Sequence, residues 1–427
     1  MGKNEAMART AAALAALRID GERLWKSIMD LATIGATDKG GVRRLALTDL
    51  DRAGRDLVVG WCRDAGLAVR VDRVGNIFAR RAGRDAARRA VAAGSHVDTQ
   101  PSGGKFDGNF GVLAALEVMR TLDDHGIATA APLEVAIWTN EEGTRFTPVM
   151  MGSGAWAGIY GVDFIHAQRD GDGCTVGAEL ARIGYAGDAP MGGTAGGPGF
   201  DAYFEAHIEQ GPMLEAAGLP IGVVVGALGQ NWYDVAFEGM DAHAGPTPMA
   251  LRRDAALAAA RLVEAVNRIA LDEAPDGRGT VGMVAVKPNS RNVIPGFAQV
   301  SVDFRHPSAD GLARMDAALR AAAADIGARG GVGVEVKPQV AFPPCAFDPG
   351  CVGLVREAAR RLGLPHMDIV SGAGHDAVHV ASVAPTAMIF VPCKDGISHN
   401  EIEDALPEHV TAGGNVLLHA MLARALA

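Results

Sequence analysis

A strand–helix–strand pattern between residues 90 and 139 constrains the fold of this chain more than any other feature. Residues 90–96 form a short apolar run, residues 109–124 place apolar side chains on a helical face, and residues 133–139 form a second apolar run. A helix-length connection between two such strands predicts a parallel βαβ unit. Ligands bind beyond the carboxyl ends of the strands in such sheets. We therefore expect a functional site in the residues that follow each strand.

Metal-binding residue types stand at these expected strand ends. His96 ends the first strand in Gly-Ser-His-Val-Asp, and Glu141 and Glu142 follow the second strand in Thr-Asn-Glu-Glu-Gly. Asp107 lies in the connecting loop, in Phe-Asp-Gly. Imidazole and carboxylate groups are the usual ligands of catalytic zinc, and a carboxylate can bridge two ions about 3.5–4 Å apart. The pattern predicts a two-metal site with Asp107 as the candidate bridge.

Two later histidines can complete this site. They are His207, in His-Ile-Glu-Gln-Gly-Pro, and His399, in Ser-His-Asn-Glu. We predict two metal positions with these ligands: His96, Asp107 and His207 at one, and Asp107, Glu142 and His399 at the other. Glu141 is adjacent to Glu142, so the two side chains cannot aim at one ion from a regular strand. One of them can ligate while the other stays free as a general base, and with Glu142 as the ligand Glu141 is the spare carboxylate.

Asp98 is a candidate supporting residue for His96. It follows the histidine by two positions, so both side chains point the same way on an extended backbone. We expect its carboxylate to accept the imidazole N–H and fix the tautomer. An ordinary turn acid is the alternative interpretation.

The middle of the chain has a different pattern. Residues 165–202 are Gly-rich and are predicted to be irregular. Beyond residue 225 the order is β-α-β-β-α-β, with strands and helices predicted at 230–238, about 249–271, 279–287, 297–306, 309–329 and 332–340. We expect an inserted, ferredoxin-like α+β domain at 225–342 in an α/β catalytic domain with a mixed sheet, formed by 1–224 and 343–427. The other predicted elements are helices within 20–66 and at 350–362, a strand pair at 67–80, and strands at 367–370 and 386–391.

Further polar residues of interest lie in the second half of the chain. His243 comes just after the first strand of the inserted domain, where a surface-loop histidine is the alternative. Arg305 could bind a carboxylate through two hydrogen bonds, with Asn292 as an added donor; both are also common structural residues. His375 and Asp376 stand in a Gly-rich loop at a predicted strand end.

Composition excludes several classes of protein. The 427 residues carry 40 Lys and Arg against 50 Asp and Glu, a net charge of −10, which argues against nucleic acid as a partner. No apolar run approaches the ~18–20 residues of a membrane span. The five cysteines lack a Cys-x-x-Cys pair and fit small buried side chains in a reducing compartment. The stretch at 11–17 is a weak signal-peptide core. We expect a tail or first helix there, no membrane partner, and a cytoplasmic protein.

Nine motifs make the chain resemble the hydantoinase/carbamoylase amidases, a branch of the aminoacylase and carboxypeptidase-type dinuclear zinc peptidases. The resemblance runs from about residue 20 to the C-terminus. The motifs stand in the family's order and match its ligand positions throughout: GSHVDT, GKFDGNFGV, NEEGTRF, HIEQGP, HAGPTPM, RNVIPG, DFRHP, SGAGHDA and SHNE.

The resemblance implies a set of roles. It implies two divalent ions per subunit, with zinc preferred and manganese, cobalt or nickel as alternatives. It implies a homodimer in which the inserted domain makes the dimer contact and closes over the site. Glu141 is implied as general base, and His243 as a residue that reaches the partner's site and polarises the scissile carbonyl. The remaining implied roles are metal ligation by His96, Asp107, Glu142, His207 and His399, substrate contact by Gln210, Asn292, Arg305, Gly372, Ala373, Gly374 and His375, and support from Asp98 and Asp376.

The implied reaction is hydrolysis of N-carbamoyl-L-amino acids to the free amino acid, carbon dioxide and ammonia. β-Ureidopropionase and allantoate amidohydrolase share the same site and remain alternatives. A peptidase or aminoacylase is disfavoured, because the peptidase relatives usually have a carboxylate in place of His207. A non-catalytic metal-binding or assembly protein of this fold is the remaining class, and would be expected to lack the base or a ligand.

Overall fold

A computed structural model describes residues 14–193 and 199–427, so the expectation for the first 13 residues lies outside the described part. The chain divides into two compact units. The first is formed by the chain up to Val225 together with Phe347–Ala427, and the second is Gly226–Ala346.

Strands and helices are numbered in chain order. The strands are β1 Ala68–Val71, β2 Ile77–Arg81, β3 Ala90–His96, β4 Leu133–Trp138, β5 Phe200–Ile208, β6 Ile221–Ala227, β7 Gly229–Glu238, β8 Ala242–His243, β9 Arg278–Thr280, β10 Val284–Lys287, β11 Val293–Ile294, β12 Phe297–His306, β13 Gly333–Phe342, β14 Cys345–Ala346, β15 His366–Ser371 and β16 Thr386–Val391. The helices are α1 Gly21–Ala32, α2 Asp49–Asp64, α3 Asn109–Asp124, α4 Met151–Trp156, α5 Val162–Ala167, α6 Val176–Ile183, α7 Met213–Ala217, α8 Ala255–Asp272, α9 Ala309–Gly330, α10 Pro349–Arg361, α11 Asp376–Val380 and α12 Pro407–Leu426. Short 3-10 turns occur at Met249–Leu251 and Lys394–Gly396.

The first unit is built on a mixed sheet, as expected. Its described strands follow the order β1-β2-β4-β3-β5-β16-β6. The central neighbours β4, β3, β5 and β16 are parallel, and the flanking pairs are antiparallel. Since α3 connects the parallel strands β3 and β4, the predicted βαβ unit is confirmed. The carboxyl ends of these four parallel strands meet at one edge of the sheet.

Helix α3 is fixed in place by burial. Its side chains are apolar on most of its circumference, and Phe110, Leu113 and Leu116 are buried, as expected for a helix enclosed on several sides. It packs on β3 and against α12, which also packs on β5 and β16. The start of α3 therefore has a defined position at the carboxyl edge of the sheet.

The prediction of an irregular segment at 165–202 is wrong in part. Helix α6 begins after Thr175, whose side chain accepts the N–H of Ala178, and ends at Gly184 in the left-handed conformation, with φ 79°. The end of helix α5 and the start of β5 also fall in this segment. Glycines in this segment favour irregular backbone, but Gly184 serves to end a helix.

The second unit has an antiparallel sheet with the order β10-β12-β7-β13, and β9 pairs beside β10 on β12. Helices α8 and α9 pack against the sheet over a core that includes Phe237, Leu262, Val300, Phe304 and Leu319. The longer elements run in the order β7, α8, β9, β10, β12, α9 and β13, and the short strands β8 and β11, which were not predicted, form a separate pair.

Two boundaries in the second unit differ from prediction. Helix α8 begins at Ala255 rather than near 249, because the Asp254 side chain accepts the N–H of Leu257 and caps the helix. The strand predicted at 279–287 is divided into β9 and β10. Between them, Ser301 accepts the N–H of Met283 through its side-chain oxygen, which interrupts the regular ladder.

The burial of the cysteines agrees in part with the expectation from sequence. All five cysteines are free thiols. Cys62, Cys351 and Cys393 are buried as predicted, whereas Cys174 is exposed and Cys345 is half-buried. Within the described residues, no helix combines the length and apolar character needed to cross a membrane.

Candidate metal centre

The carboxyl edge of the first unit's sheet gathers the five predicted ligands. His96 is the last residue of β3, and His207 lies near the end of β5. Glu142 follows β4, and His399 follows β16. Asp107 lies just before α3. The His399 side chain is 51% exposed, whereas the other four are buried. Sheet topology therefore converts five distant sequence positions into one cluster.

The Asp107 carboxylate stands between the histidines. Its Oδ1 atom lies 3.1 Å from His207 Nε2 and 3.6 Å from His96 Nε2. Its Oδ2 atom lies 3.3 Å from His399 Nε2, and that nitrogen lies 3.5 Å from Glu142 Oε2. Each oxygen thus faces a different set of partners, which is the arrangement that a bridging carboxylate needs.

Ligand atoms fall into two groups that share Asp107. The atoms of each group lie within 4.8 Å of one another, and the groups are His96, Asp107 and His207, and Asp107, Glu142 and His399. Imidazole nitrogen and carboxylate oxygen are suitable donors for zinc and for several other divalent ions. The donor set therefore fits two divalent ions.

A third group of candidate ligands, Glu205, His207 and His375, does not need an ion to satisfy it. The Glu205 carboxylate accepts the Ser95 hydroxyl at 2.7 Å and the main-chain N–H of Ala377 at 2.9 Å. Glu205 is a supporting residue that sequence reasoning missed. Its position two residues before His207 on one strand places both side chains on the same face, and is a signal that could have found it.

Main-chain carbonyls orient the two buried imidazoles. His96 Nδ1 lies 2.8 Å from the carbonyl oxygen of Asp98, and His207 Nδ1 lies 2.8 Å from that of Ile208. A carbonyl only accepts, so each Nδ1 carries the proton and each Nε2 presents a lone pair to the site. The expectation that the Asp98 carboxylate holds His96 is wrong, because that contact is 3.9 Å long and the carbonyl takes the role.

The Asp98 carboxylate instead supports the two glutamates. Its oxygens accept the main-chain N–H groups of Glu141 and Glu142, each at 3.3 Å. The preceding residue, Asn140, has a left-handed φ of 53°, and its side chain donates to the carbonyl of Phe146 at 2.8 Å. These contacts close a turn that sends the adjacent glutamate side chains in different directions. Glu141 Oε2 then lies 3.6 Å from His96 Nε2.

Arg145 is a second supporting residue that sequence reasoning missed. It follows the glutamates in the same loop and donates to Asp170 at 3.0 Å and to Glu179 at 2.7 Å. It also donates to the carbonyl of Ala46 at 3.1 Å. Both acidic partners lie within the Gly-rich segment 165–202, and Glu179 is on helix α6, so a prediction of irregular backbone there gives no reason to expect these contacts.

The carboxylates of the site are buried close together, and this shifts their pKa values. Burial raises the pKa of Glu141 well above its ordinary value, and neighbouring carboxylates add to this effect. Burial and the nearby Asp107 raise the pKa of Glu142 to about 7. Burial also acts to raise the pKa of Asp107, but the imidazoles of His207 and His399 beside its carboxylate hold that pKa well below its ordinary value. Buried carboxylates of this kind are stabilised by bound cations.

The predicted substrate-contact residues of the first unit lie close to this cluster. Gln210, with a φ of 57°, donates from its side-chain amide to Asp107 Oδ2 at 3.0 Å. The His375 ring packs edge-on against His207, with centroids 4.5 Å apart. The loop before it, Gly372 to Gly374, is partly exposed. Asp376 accepts the Ser153 hydroxyl and is fully buried.

The three predicted site residues of the second unit lie at two separate places within that unit. His243 pairs with Val293 across β8 and β11, and the adjacent Ala244 N–H donates to the Asn292 carbonyl at 2.9 Å. The side chains of His243 and Asn292 are exposed. Arg305 lies on β12 and forms an ion pair with Asp303 at 2.9 Å. The structure brings His243 and Asn292 together, but not Arg305.

The position between Asp107 and helix α3 requires a glycine, Gly108, because of its backbone conformation and its nearest neighbour. Its φ is 66°, and its N–H donates to His207 Nε2 at 3.2 Å. A Cβ atom at this position would overlap the His96 imidazole. The motif Phe-Asp-Gly therefore places the carboxylate next to the one residue that allows the imidazole to approach so closely.

We expect Gly108→Ala to displace His96 and weaken binding of one divalent ion about tenfold or more, because the new methyl group occupies the imidazole position. Gly126→Ala is the matched control, since Gly126 follows the same helix with a φ of 61° and a Cβ atom added there would have no neighbour within 4 Å. Both variants should lose about 1–2 kcal/mol of unfolding free energy from backbone strain. Zinc titration of the metal-free proteins distinguishes them, and equal zinc affinities would contradict the assignment of His96.

Comparisons with known proteins agree with this geometry. The family profile of Peptidase family M20/M25/M40 matches residues 92–423. A solved amidase of the hydantoinase/carbamoylase family from Burkholderia multivorans has a TM-score of 0.93 and 59% sequence identity, and covers 96% of this chain and 99% of its own. The N-carbamoyl-L-amino-acid amidohydrolase of Rhizobium meliloti is 47% identical over 95% of this chain and 96% of its own length. The corresponding protein of Geobacillus stearothermophilus is 38% identical over 94% of this chain and 98% of its own length.

These matches extend over nearly the whole chain, and the strand-end cluster has the donor set expected of a metal-dependent hydrolase. The chain belongs to the hydantoinase/carbamoylase amidases, within Peptidase family M20/M25/M40.

Proposed function

We propose that this protein is a metal-dependent amidohydrolase that cleaves N-carbamoyl-L-amino acids to the free amino acid, carbon dioxide and ammonia. The observation that carries this proposal is the Asp107 carboxylate, whose two oxygens face separate groups of ligands. The names of the relatives from Rhizobium meliloti and Geobacillus stearothermophilus favour an N-carbamoyl-L-amino acid over other ureido compounds.

We assign the ligands of two divalent ions to the two groups described above. His96, Asp107 and His207 hold one ion, and Asp107, Glu142 and His399 hold the other. Zinc is the preferred ion, and manganese, cobalt and nickel suit the same nitrogen and oxygen donors. When bound, such a pair of ions polarises a substrate carbonyl and makes water more acidic.

The proton transfers fall to Glu141. Its carboxylate is not needed in either ligand group, yet Oε2 lies 3.6 Å from His96 Nε2 and so faces the same space. It takes a proton from the water that attacks the carbamoyl carbon. It then returns that proton to the departing amine as the C–N bond breaks. The carbamic acid that remains separates into carbon dioxide and ammonia, which balances the reaction.

Substrate recognition is assigned to the remaining polar residues. In this scheme Arg305 and Asn292 hold the substrate carboxylate, and Gln210 contacts the carbamoyl end. His243 stabilises the negative charge that develops on the carbonyl oxygen. The Gly372–His375 loop offers main-chain groups, and Asp98 and Asp376 support the site from behind.

We propose that the protein is a homodimer in which the second unit serves as both lid and dimer contact. Arg305 pairs with Gln230 on β7, whereas Phe297 pairs with Glu238 at the other end of β12. Eight strand residues span roughly 26 Å, and His243 lies beyond the Glu238 end. A small substrate cannot contact both ends of this strand in one chain. Two copies can supply the two ends to one site, as the symmetry of a dimer allows.

The substrate assignment is tested by ammonia release from the metal-loaded protein on a panel of compounds. We expect strong release from N-carbamoyl-L-amino acids, loss of release on addition of a chelator, and weak release from a D-enantiomer, N-carbamoyl-β-alanine and allantoate. Preference for one of the last two would keep the chemistry and change the substrate. No release from any compound, with two ions bound, would refute the proposed reaction.

Replacement of Glu141 tests the general base. Glu141→Gln should bind two ions but lose roughly three orders of magnitude or more in kcat, since a positioned base contributes about 10²–10⁴-fold. Glu142→Gln is the matched variant and should instead weaken binding of one ion. Metal content and kcat are measured on both. Near-normal turnover by Glu141→Gln would exclude Glu141 from this role.

Complementation tests the contribution of the partner subunit. His243→Ala and Arg305→Ala should each be inactive alone. In an equimolar, randomly reassociated mixture, about half of the dimers are mixed and each mixed dimer has one intact site, so about one quarter of wild-type activity should return. No recovery would indicate that both residues act within one chain, and recovery without subunit exchange would contradict the dimer.

A further inference from the structure

Glu403 is a buried carboxylate that none of the assigned roles uses. It lies between His399 and helix α12, and is 2% exposed. Its Oε1 atom accepts the main-chain N–H of Phe106 at 3.0 Å and that of Asp107 at 3.1 Å. The side chain thus reaches the loop of the candidate bridging ligand from a position far later in the chain.

The other carboxylate oxygen holds the loop that carries His399. Glu403 Oε2 accepts the Ser398 hydroxyl at 2.7 Å, and the same hydroxyl lies 3.3 Å from Asp107 Oδ2. Ser398 immediately precedes His399, which has a left-handed φ of 53°. One carboxylate therefore connects the backbone of the Asp107 loop to the residue that precedes His399.

The fit around this carboxylate is close. A Cβ atom at Gly104 would overlap the Glu403 carboxylate. The hydrogen-bond partners described for Glu403 are neutral N–H and O–H groups rather than cations. A buried carboxylate held only by neutral donors is expensive to desolvate. Its contacts nevertheless join the two loops on which the second ligand group depends.

We infer that Glu403 is a positioning residue that fixes the Asp107 and His399 loops relative to each other and so shapes the ion position formed by Asp107, Glu142 and His399. This inference rests on the proposed two-ion function. Residues that orient metal ligands commonly change metal affinity about 10–100-fold when they are removed.

The effect is selective because the other ion position has its own supports. His96 and His207 lie on strands of the sheet, and main-chain carbonyls orient both rings. Asp107 is also held by a tight turn just before α3, where its carbonyl accepts the Asn109 N–H at 2.7 Å. His399 lies on a loop and is half-exposed. Loss of Glu403 therefore affects the placement of His399 most.

The test is zinc titration of the metal-free, full-length chain against a competing chelator, with Glu403→Ala, Glu403→Gln and a control. Glu403→Ala should weaken one of two zinc equivalents by about 10–100-fold and leave the other within about threefold. Glu403→Gln should retain both, because its amide oxygen still accepts the two main-chain N–H groups and its amide N–H can donate to Ser398. Glu401→Ala is the control, since the Glu401 side chain pairs with Lys39 instead, and should retain both equivalents.

Several outcomes would overturn the inference. These are wild-type affinity for both equivalents in Glu403→Ala, an equal loss of both, or a loss in Glu403→Gln as large as in Glu403→Ala. An equal loss would indicate general destabilisation rather than positioning. A wild-type chain that binds only one zinc ion would overturn the two-ion function together with this inference, whereas failure of the variants alone leaves the proposed function intact.

Discussion

The carboxylate of Asp107 is the interaction on which the site depends. It meets two histidines through one oxygen and a third through the other. A single side chain can do this only if its backbone is fixed in position, and the start of the enclosed helix α3 provides that position. The surrounding architecture can be understood as a means of holding one short loop against the ends of four parallel strands.

The division of labour between the sheet and its loops follows from the fold. His96 and His207 lie on buried strands, where neighbouring backbone fixes both the side-chain direction and the tautomer. His399 and the glutamates lie on loops. Asp98 accepts the main-chain N–H groups of the two glutamates, and Glu403 accepts the hydroxyl of the residue before His399. Loops carry much of the chemistry in α/β proteins while the sheet supplies precision. In this protein, the loops are themselves braced by buried hydrogen bonds.

Much of the fold and the grouping of the candidate ligands could be predicted from sequence. Apolar runs of strand length and the strong periodicity of α3 indicated the βαβ unit, and its strand ends then indicated where His96 and the glutamates would meet. The supporting contacts were not predictable in the same way. Whether Asp98 contacts His96 through its carboxylate or its carbonyl depends on local backbone geometry. The contact of Arg145 with Glu179 depends on helix α6, which is difficult to recognise in a Gly-rich segment. The start of strand β5 is also difficult to recognise from sequence, because it lies at the end of the same Gly-rich segment.

The order of the strands in the sheet has a consequence for folding while the chain is being synthesised. Strand β16 lies between β5 and β6 in space but is made long after both, because the whole second unit intervenes in the chain. While the ribosome synthesises that unit, the backbone edge of β5 that will receive β16 lacks its final partner. An unpaired edge is a template for wrong association in a nascent chain. The candidate ligand His399 also follows the other four in the chain, so the five side chains cannot come together until the second unit and β16 have been synthesised.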